Sequence, residues 1–83
     1  MAGDEEILKR IVEGRHAIAF RDFERVLRKL GFEEARIRGS HQIYRHPKVP
    51  RPLSIQPFGK EAKPYQIRQL RDMTEEFGLE LEA

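Results

Sequence analysis

The sequence contains no cysteine and no tryptophan in 83 residues. The lack of cysteine excludes disulfide scaffolds, thiolate zinc sites and cysteine nucleophiles, and it is typical of proteins that work in a reducing cytosol. Long apolar runs are lacking as well, because the longest spans only residues 17–20, whereas a membrane helix needs about 20 apolar residues. No basic segment followed by an apolar one indicates a signal peptide. We therefore expect a single cytoplasmic domain over residues 1–83, with no membrane partner.

Charge is placed unevenly along the chain. The net charge is only +2, yet residues 14–71 hold fourteen lysines and arginines against five acids, and residues 72–83 hold five acids and no base. A central block of net +9 attracts polyanions such as nucleic acids. A solvated surface of mixed charge is the ordinary alternative, so composition favours a nucleic-acid partner without requiring one.

Apolar residues at helical spacing predict three helices. The first covers residues 4–13 and starts with three acids, which suit the positive end of a helix. The second covers residues 21–30 and ends before Gly31, and the third starts at Pro64 and ends before Gly78. The second helix has the most regular stripe, at i, i+3, i+4 and i+7. Its members are Phe23, Val26, Leu27 and Leu30.

Between the second and third helices the apolar period shortens to two residues, which is typical of strands. Residues 34–38 and 41–46 predict two strands joined by a turn at Gly39-Ser40, and residues 53–56 predict a third. We expect an α+β fold: a three-stranded antiparallel sheet with helices on one face, plus an extra N-terminal helix. The prolines expected to separate the last two strands are Pro47, Pro50 and Pro52.

The side of the sheet that faces the core is ambiguous from the sequence. Ile37, Ile43 and Ile55 are the natural core residues of the three strands. Strict alternation then places His41 on the same face as Ile43. Either His41 reaches solvent at the edge of the sheet, next to the turn, or a bulge breaks the alternation.

Three further segments are predicted to be less regular. Residues 17–20 form a short extended connector, and residues 57–63 form a polar loop. Residues 79–83 alternate apolar and acidic side chains, which predicts a tail that frays or adds an edge strand.

The predicted hairpin at residues 39–46 carries two histidines close to three arginines. Because histidine titrates near neutral pH, it can take a proton from a ribose 2′-hydroxyl or give one to a leaving 5′-oxygen. Gly39 would let a phosphate approach the backbone closely. The ordinary alternative is a partly buried histidine held by a backbone carbonyl. The side chains concerned are His41, His46, Arg36, Arg38 and Arg45.

A second basic segment, residues 59–64, brings Lys60 and Lys63 to the start of the third helix. Unpaired N–H groups and the helix dipole favour anions there, and lysines strengthen that preference. Arg68 and Arg71 extend the basic side along the helix. The segment predicts phosphate contact, although lysines at a helix start also serve solubility alone.

No metal or cofactor site is predicted. His41 and His46 are five residues apart on one strand and His16 is distant in sequence, so we do not expect three imidazoles on one metal. Glycine-rich phosphate loops and serine-nucleophile motifs are lacking. Tyr44 and Phe58 fit either a core or a base-stacking role.

Three segments together carry a recognisable signature. They read Leu30-Gly31-Phe32, then Gly39-Ser40-His41-x-x-Tyr44-Arg45-His46-Pro47, then Gly59-Lys60-Glu61-x-Lys63-Pro64. In this order and spacing they resemble the HicA family, the toxin mRNA interferases of HicAB toxin–antitoxin systems. The resemblance covers residues 20–78, with residues 1–19 as an N-terminal helical extension and residues 79–83 as an acidic tail.

The resemblance implies a fold like a double-stranded-RNA-binding domain, α-β-β-β-α. It implies metal-independent cleavage of mRNA that depends on the histidine of the Gly-Ser-His triplet, here His41. It also implies a HicB-type antitoxin as the protein partner, which blocks the active face. The chain departs from the family at the third helix, where many members have Gly-Thr after the Lys-Pro pair and this chain has Tyr65-Gln66.

On this basis His41 is the candidate general base on the 2′-hydroxyl, which then attacks the adjacent phosphorus. The general acid is left open between His46, a lysine and water. A non-catalytic RNA-binding module that uses the same basic surface is the alternative, and a protein–protein adaptor is a third interpretation. The residues expected to bind RNA phosphate are Gly39, Ser40, Arg38, Arg45, Lys60, Lys63 and Arg68.

Overall fold

The computed structural model of the chain describes residues 3–14 and 17–82. Its elements are α1 (Asp4–Val12), α2 (Phe20–Lys29), β1 (Glu33–Arg38), β2 (His41–His46), β3 (Val49–Ile55), β4 (Pro57–Phe58), β5 (Glu61–Ala62) and α3 (Pro64–Phe77). The first three strands form one antiparallel sheet in the order β1-β2-β3, and β4 and β5 form a separate small hairpin. The fold is α+β, as predicted. Its element order is consistent with a double-stranded-RNA-binding-domain-like arrangement that carries an extra N-terminal helix.

The helix predictions are confirmed. Ile7 and Ile11 of α1 are buried, and so is the whole predicted stripe of α2. Gly31 follows α2 with a φ of +100°, and Gly78 ends α3 in the left-handed conformation. Pro64 begins α3, where the N–H that proline lacks would have no helical partner. The helices found in the described residues all contribute to one apolar core.

The core residue of β2 is Tyr44, which has no exposed surface, and not Ile43. Tyr44 pairs across the sheet with Leu53 of β3, which is also buried, so this face of the sheet packs against the helices. Ile43 is half-buried and by alternation faces the other way. The prediction for Ile43 is wrong because the larger tyrosine ring fills the core while its hydroxyl finds partners on α2. By the same alternation, His41 lies on the face away from the helices.

Strand β1 is an edge strand of the sheet, and all six of its residues are exposed. Ile37, which the alternation assigns to the core, is 63% exposed. Its partner across the sheet is Gln42, and the register shifts between Glu34 and Arg36. The expectation that Ile37 is a core residue is therefore wrong, because the helices leave this irregular edge strand uncovered.

Strand β3 begins earlier than predicted, at Val49, and it contains Pro50 and Pro52. The expected break at these prolines is wrong because β3 is an edge strand, where the missing N–H of a proline can face away from the neighbouring strand. The pairing is nevertheless irregular, since its register shifts opposite residues 44–46 of β2.

The predicted polar loop at residues 57–63 contains the β4–β5 hairpin, with Lys60 in its turn. The extended connector before α2 holds this hairpin in place. The Phe20 N–H donates to the Lys60 carbonyl at 2.8 Å, and the Ala62 N–H donates to the Ile18 carbonyl at 2.9 Å. Lys60 therefore lies on an anchored hairpin beside the start of α2, and the prediction of an irregular loop is wrong there.

The acidic tail packs against the rest of the protein. Leu79 is 7% exposed, and the Glu82 N–H donates to the Lys29 carbonyl at 2.6 Å. Residues 79–82 thus form no strand and are held by these contacts, while Ala83 lies outside the described residues.

Two α2 side chains hold the buried hydroxyl of Tyr44. The hydroxyl donates to Glu24 Oε2 at 3.1 Å and accepts from Arg28 Nη2 at 3.3 Å. Burial, together with the neighbouring Glu24 carboxylate, raises the pKa of Tyr44 from its ordinary value of 10.0 to about 12.

We expect the free energy of unfolding to fall as the pH rises from 10 to about 12, since in this range Tyr44 keeps its proton in the folded state and loses it in the unfolded chain. Below this range both states hold the proton, so the contribution to stability is complete. Tyr44→Phe removes the effect and gives a smaller decrease over the same interval. Urea unfolding followed by circular dichroism measures the two decreases, and equal values would contradict the prediction.

Candidate active site

His41 is the first residue of β2 and directly follows the Gly39-Ser40 turn. It is exposed, and it pairs with Arg38 of β1 on the face of the sheet that lies away from the helices. Its ring has no hydrogen bond to any residue in the part of the chain that the structure describes. A polymeric substrate can reach this imidazole, so the alternative of a histidine held by a backbone carbonyl does not apply to His41.

That alternative does apply to His46, the last residue of β2. Its Nε2 lies 2.8 Å from the Leu30 carbonyl oxygen, and its Nδ1 accepts the Lys48 N–H at 3.0 Å. A neutral ring that donates from Nε2 and accepts at Nδ1 satisfies both bonds. The ring also meets the edge of Phe32, with 5.0 Å between centroids. Because five residue steps of a strand span about 17 Å, His46 is too far from His41 to act on the same phosphodiester.

Three exposed arginines share the open face of the sheet with His41. Arg36 pairs with Ile43 and Arg38 pairs with His41, so both lie on this face, and alternation along β2 adds Arg45. No ion pair between described residues involves any of the three arginines. Arg38 adjoins His41 directly, whereas Arg45 lies about 14 Å further along β2. The open face therefore carries three arginines, with the imidazole at one end and Glu33 opposite Arg45 at the other.

A chain of hydrogen bonds joins the lysine segment to the turn before His41. Lys63 Nζ donates to Gln56 Oε1 at 3.0 Å, and Gln56 Nε2 donates to Ser40 Oγ at 2.8 Å. The two predicted phosphate-binding segments thus meet at one place. Gln56 is a residue that the sequence analysis does not single out, although its position at the end of the third predicted strand, beside the turn, is visible in the sequence.

The other predicted phosphate ligands lie further out. Lys60 is exposed in the turn of the β4–β5 hairpin, next to Phe58, which is 69% exposed. Arg68 is exposed in the second turn of α3, and no hydrogen bond or ion pair between described residues links it to His41. The sequence leaves Tyr44 and Phe58 between a core role and a base-stacking role. In the structure Tyr44 belongs to the core and Phe58 does not.

Over residues 3–14 and 17–82 the structure contains no group of three histidine, aspartate or glutamate side chains that could hold a metal ion. His16, considered above as a third imidazole, lies outside these residues. None of the described helices is long and apolar enough to cross a bilayer.

Most of the chain matches one known protein family. The family model described as the HicA toxin of bacterial toxin–antitoxin systems matches residues 20–79, well over half of the chain, including the turn, His41 and the lysine segment. The chain belongs to the HicA toxin family. No curated protein matches this HicA chain significantly, and no solved structure does.

Membership makes this HicA protein the toxin component of a bacterial toxin–antitoxin system and implies an antitoxin as its partner. HicA toxins are known as RNA-cleaving toxins. Within residues 20–79, strand pairing sets Arg38 opposite His41, and hydrogen bonds through Gln56 join Lys63 to Ser40, which directly precedes His41. No hydrogen bond or ion pair between described residues joins the side chains of Arg45, Lys60 or Arg68 to this group.

Proposed function

We propose that this HicA protein cleaves mRNA with His41 as the general base. The imidazole takes the proton of a ribose 2′-hydroxyl, and the 2′-oxygen forms a bond to the adjacent phosphorus. The bond from phosphorus to the 5′-oxygen breaks, and that oxygen takes up a proton. The products are a 2′,3′-cyclic phosphate end and a 5′-hydroxyl end. The observation that carries the proposal is the exposed ring of His41, which has no hydrogen bond to any described residue and follows a turn that is linked through Gln56 to Lys63.

The cations around His41 support the charge that this reaction develops. Arg38 precedes the Gly39-Ser40 turn and pairs with His41, and Lys63 is linked to the turn through Gln56, so both are candidates to stabilise the extra negative charge of the phosphorane. Because His46 is occupied by two hydrogen bonds at the far end of β2, the proton for the leaving oxygen comes from a lysine or from water. A single positioned base contributes about 10²- to 10⁴-fold, so we expect slow turnover.

The remaining basic side chains suit neighbouring phosphates of the same RNA strand. Arg45 extends the open face of the sheet away from the imidazole, and Lys60 and Arg68 lie beyond Lys63 on the hairpin and on α3. The same basic face suits a HicB-type antitoxin that presents acidic groups, which would compete with RNA for it.

Incubation of the purified protein with end-labelled mRNA in EDTA tests the proposal. We expect cleavage products that end in 2′,3′-cyclic phosphate, because no step requires a divalent metal. RNA that stays intact but is retarded in a native gel would instead indicate a non-catalytic RNA-binding module. That second candidate is favoured because none of the described side chains that could serve as the general acid is hydrogen-bonded to His41.

A further inference from the structure

We infer that Ser40, Gln56 and Lys63 form a subsite for one phosphodiester group beside His41, with Gln56 as its positioning residue. The inference rests on the proposed function, since it concerns the substrate of the same site. It adds a residue, Gln56, whose amide connects two segments that are far apart in sequence and that would otherwise approach an RNA strand independently.

The direction of the two hydrogen bonds leaves donors free for an anion. Gln56 uses its amide oxygen to accept from Lys63 and its amide nitrogen to donate to Ser40. Ser40 Oγ is thus occupied as an acceptor, so its own O–H remains available as a donor. The Lys63 ammonium has three N–H groups, and one of them donates to Gln56. The subsite therefore presents a hydroxyl donor and a cation, both oriented by one neutral amide.

The backbone of Gln56 is held separately from its side chain. The Gln56 N–H donates to Gln66 Oε1 at 3.0 Å, and Gln66 has no exposed surface. Gln66 Nε2 in turn donates to the Tyr65 hydroxyl at 3.3 Å, so the buried amide is satisfied at both ends. A substitution of the Gln56 side chain leaves the N–H and this anchor in place. The positioning role can therefore be tested without removing the contact that ties the end of β3 to α3.

An amide suits this position better than a carboxylate of the same shape. Glutamate at position 56 would pair with the Lys63 ammonium as a full charge, would accept the Ser40 O–H, and would repel an approaching phosphate. Leucine would remove both hydrogen bonds but add no charge. A phosphate subsite thus predicts that Gln56→Glu is more harmful than Gln56→Leu, whereas a purely structural role predicts the reverse, because glutamate keeps the size and polarity of glutamine.

The variants are compared in steady-state cleavage of a short RNA. For Gln56→Leu we expect KM to rise about fivefold with little change in kcat, as for the loss of one hydrogen bond in the bound state. For Gln56→Glu we expect KM to rise about tenfold or more. We also expect the slope of log affinity for RNA against log salt concentration, measured in a His41→Ala background, to decrease by about the amount that one phosphate contact contributes. Gln69→Leu is the matched control, because Gln69 is exposed on α3 and has no hydrogen bond to any described side chain.

A double-substitution cycle with Lys63→Gln shows whether Gln56 acts through the lysine. We expect Gln56→Leu to add little once Lys63 has been replaced, because the amide then has no ammonium group to orient. Additive effects, or a Gln56→Glu variant that cleaves as well as the unsubstituted protein, would overturn the inference while the proposed nuclease activity stands. If the unsubstituted protein neither cleaves nor binds RNA, the proposed function fails and the subsite fails with it.

Discussion

Replacement of His41 by alanine is expected to lower the rate of RNA cleavage by about 10²- to 10⁴-fold, to the background of the assay. The reason is geometric, because no other described imidazole or carboxylate is hydrogen-bonded to the Gly39-Ser40 turn, where it could take over the proton of the 2′-hydroxyl. The substitution removes an exposed side chain without hydrogen bonds to described residues, so we expect the melting temperature to change little. RNA affinity should also persist, since the cations are unchanged.

The measurement compares cleavage, RNA affinity and thermal unfolding of the two proteins in parallel. In cells, expression of the unsubstituted chain should arrest growth, and expression of the His41→Ala chain should not. His46→Ala provides the contrasting histidine variant. It should unfold at a lower temperature, because the bonds to Leu30 and Lys48 are lost, and yet cleave at a normal rate for the fraction that is folded. Undiminished cleavage by purified His41→Ala protein would exclude the mechanism.

The helices and the position of His41 could be predicted from the sequence because each depends on local information. The α2 stripe and Gly31 define a helix and its end within about ten residues, and the Gly-Ser-His order places the histidine just after a turn. Resemblance to the HicA family points to His41 through the same local motif, and the structure adds that the ring is exposed.

The residues that face the core of the sheet could not be predicted in the same way. Ile43 and Tyr44 are adjacent, and either could be the inward residue of β2, because period-two alternation fixes the pattern but not its phase. The choice depends on Glu24 and Arg28 of α2, which provide partners for the Tyr44 hydroxyl. Those partners belong to a different element, and their approach to β2 is a property of the folded chain.

Gln56 cannot be predicted as a site residue for a related reason. Its hydrogen-bond partners are Ser40, which is separated from it by β2 and β3, and Lys63, which is separated from it by the β4–β5 hairpin. A glutamine at a strand end carries no motif of its own. The sequence of the β4–β5 hairpin likewise predicts only a loop, because the hydrogen bonds that fix the hairpin run to residues 17–20, about forty positions earlier in the chain.

The second large effect is expected on stability, at the opposite end of β2 from His41. Gly31 has a φ of +100°, and a Cβ placed on it would lie 2.9 Å from His46 Nε2 and 3.3 Å from His46 Cδ2. Gly31→Ala therefore combines an unfavourable backbone conformation with a displacement of the His46 ring from the Leu30 carbonyl. We expect a loss of about 2–3 kcal/mol in the free energy of unfolding, which in a domain of this size lowers the melting temperature by roughly 10 °C or more.

Gly59→Ala separates the two causes of this loss. Gly59 has a φ of +64° and no atom within 4 Å of the position of a Cβ, so alanine there meets the backbone penalty alone. Gly59→Ala should cost about 1 kcal/mol, and Gly31→Ala should cost clearly more. In a His46→Ala background the cost of Gly31→Ala should fall towards that of Gly59→Ala, because the clashing ring is gone. If Gly31→Ala and Gly59→Ala are equally costly in chemical denaturation, the close packing of His46 on Gly31 contributes nothing, and the structural role assigned to this second histidine is wrong.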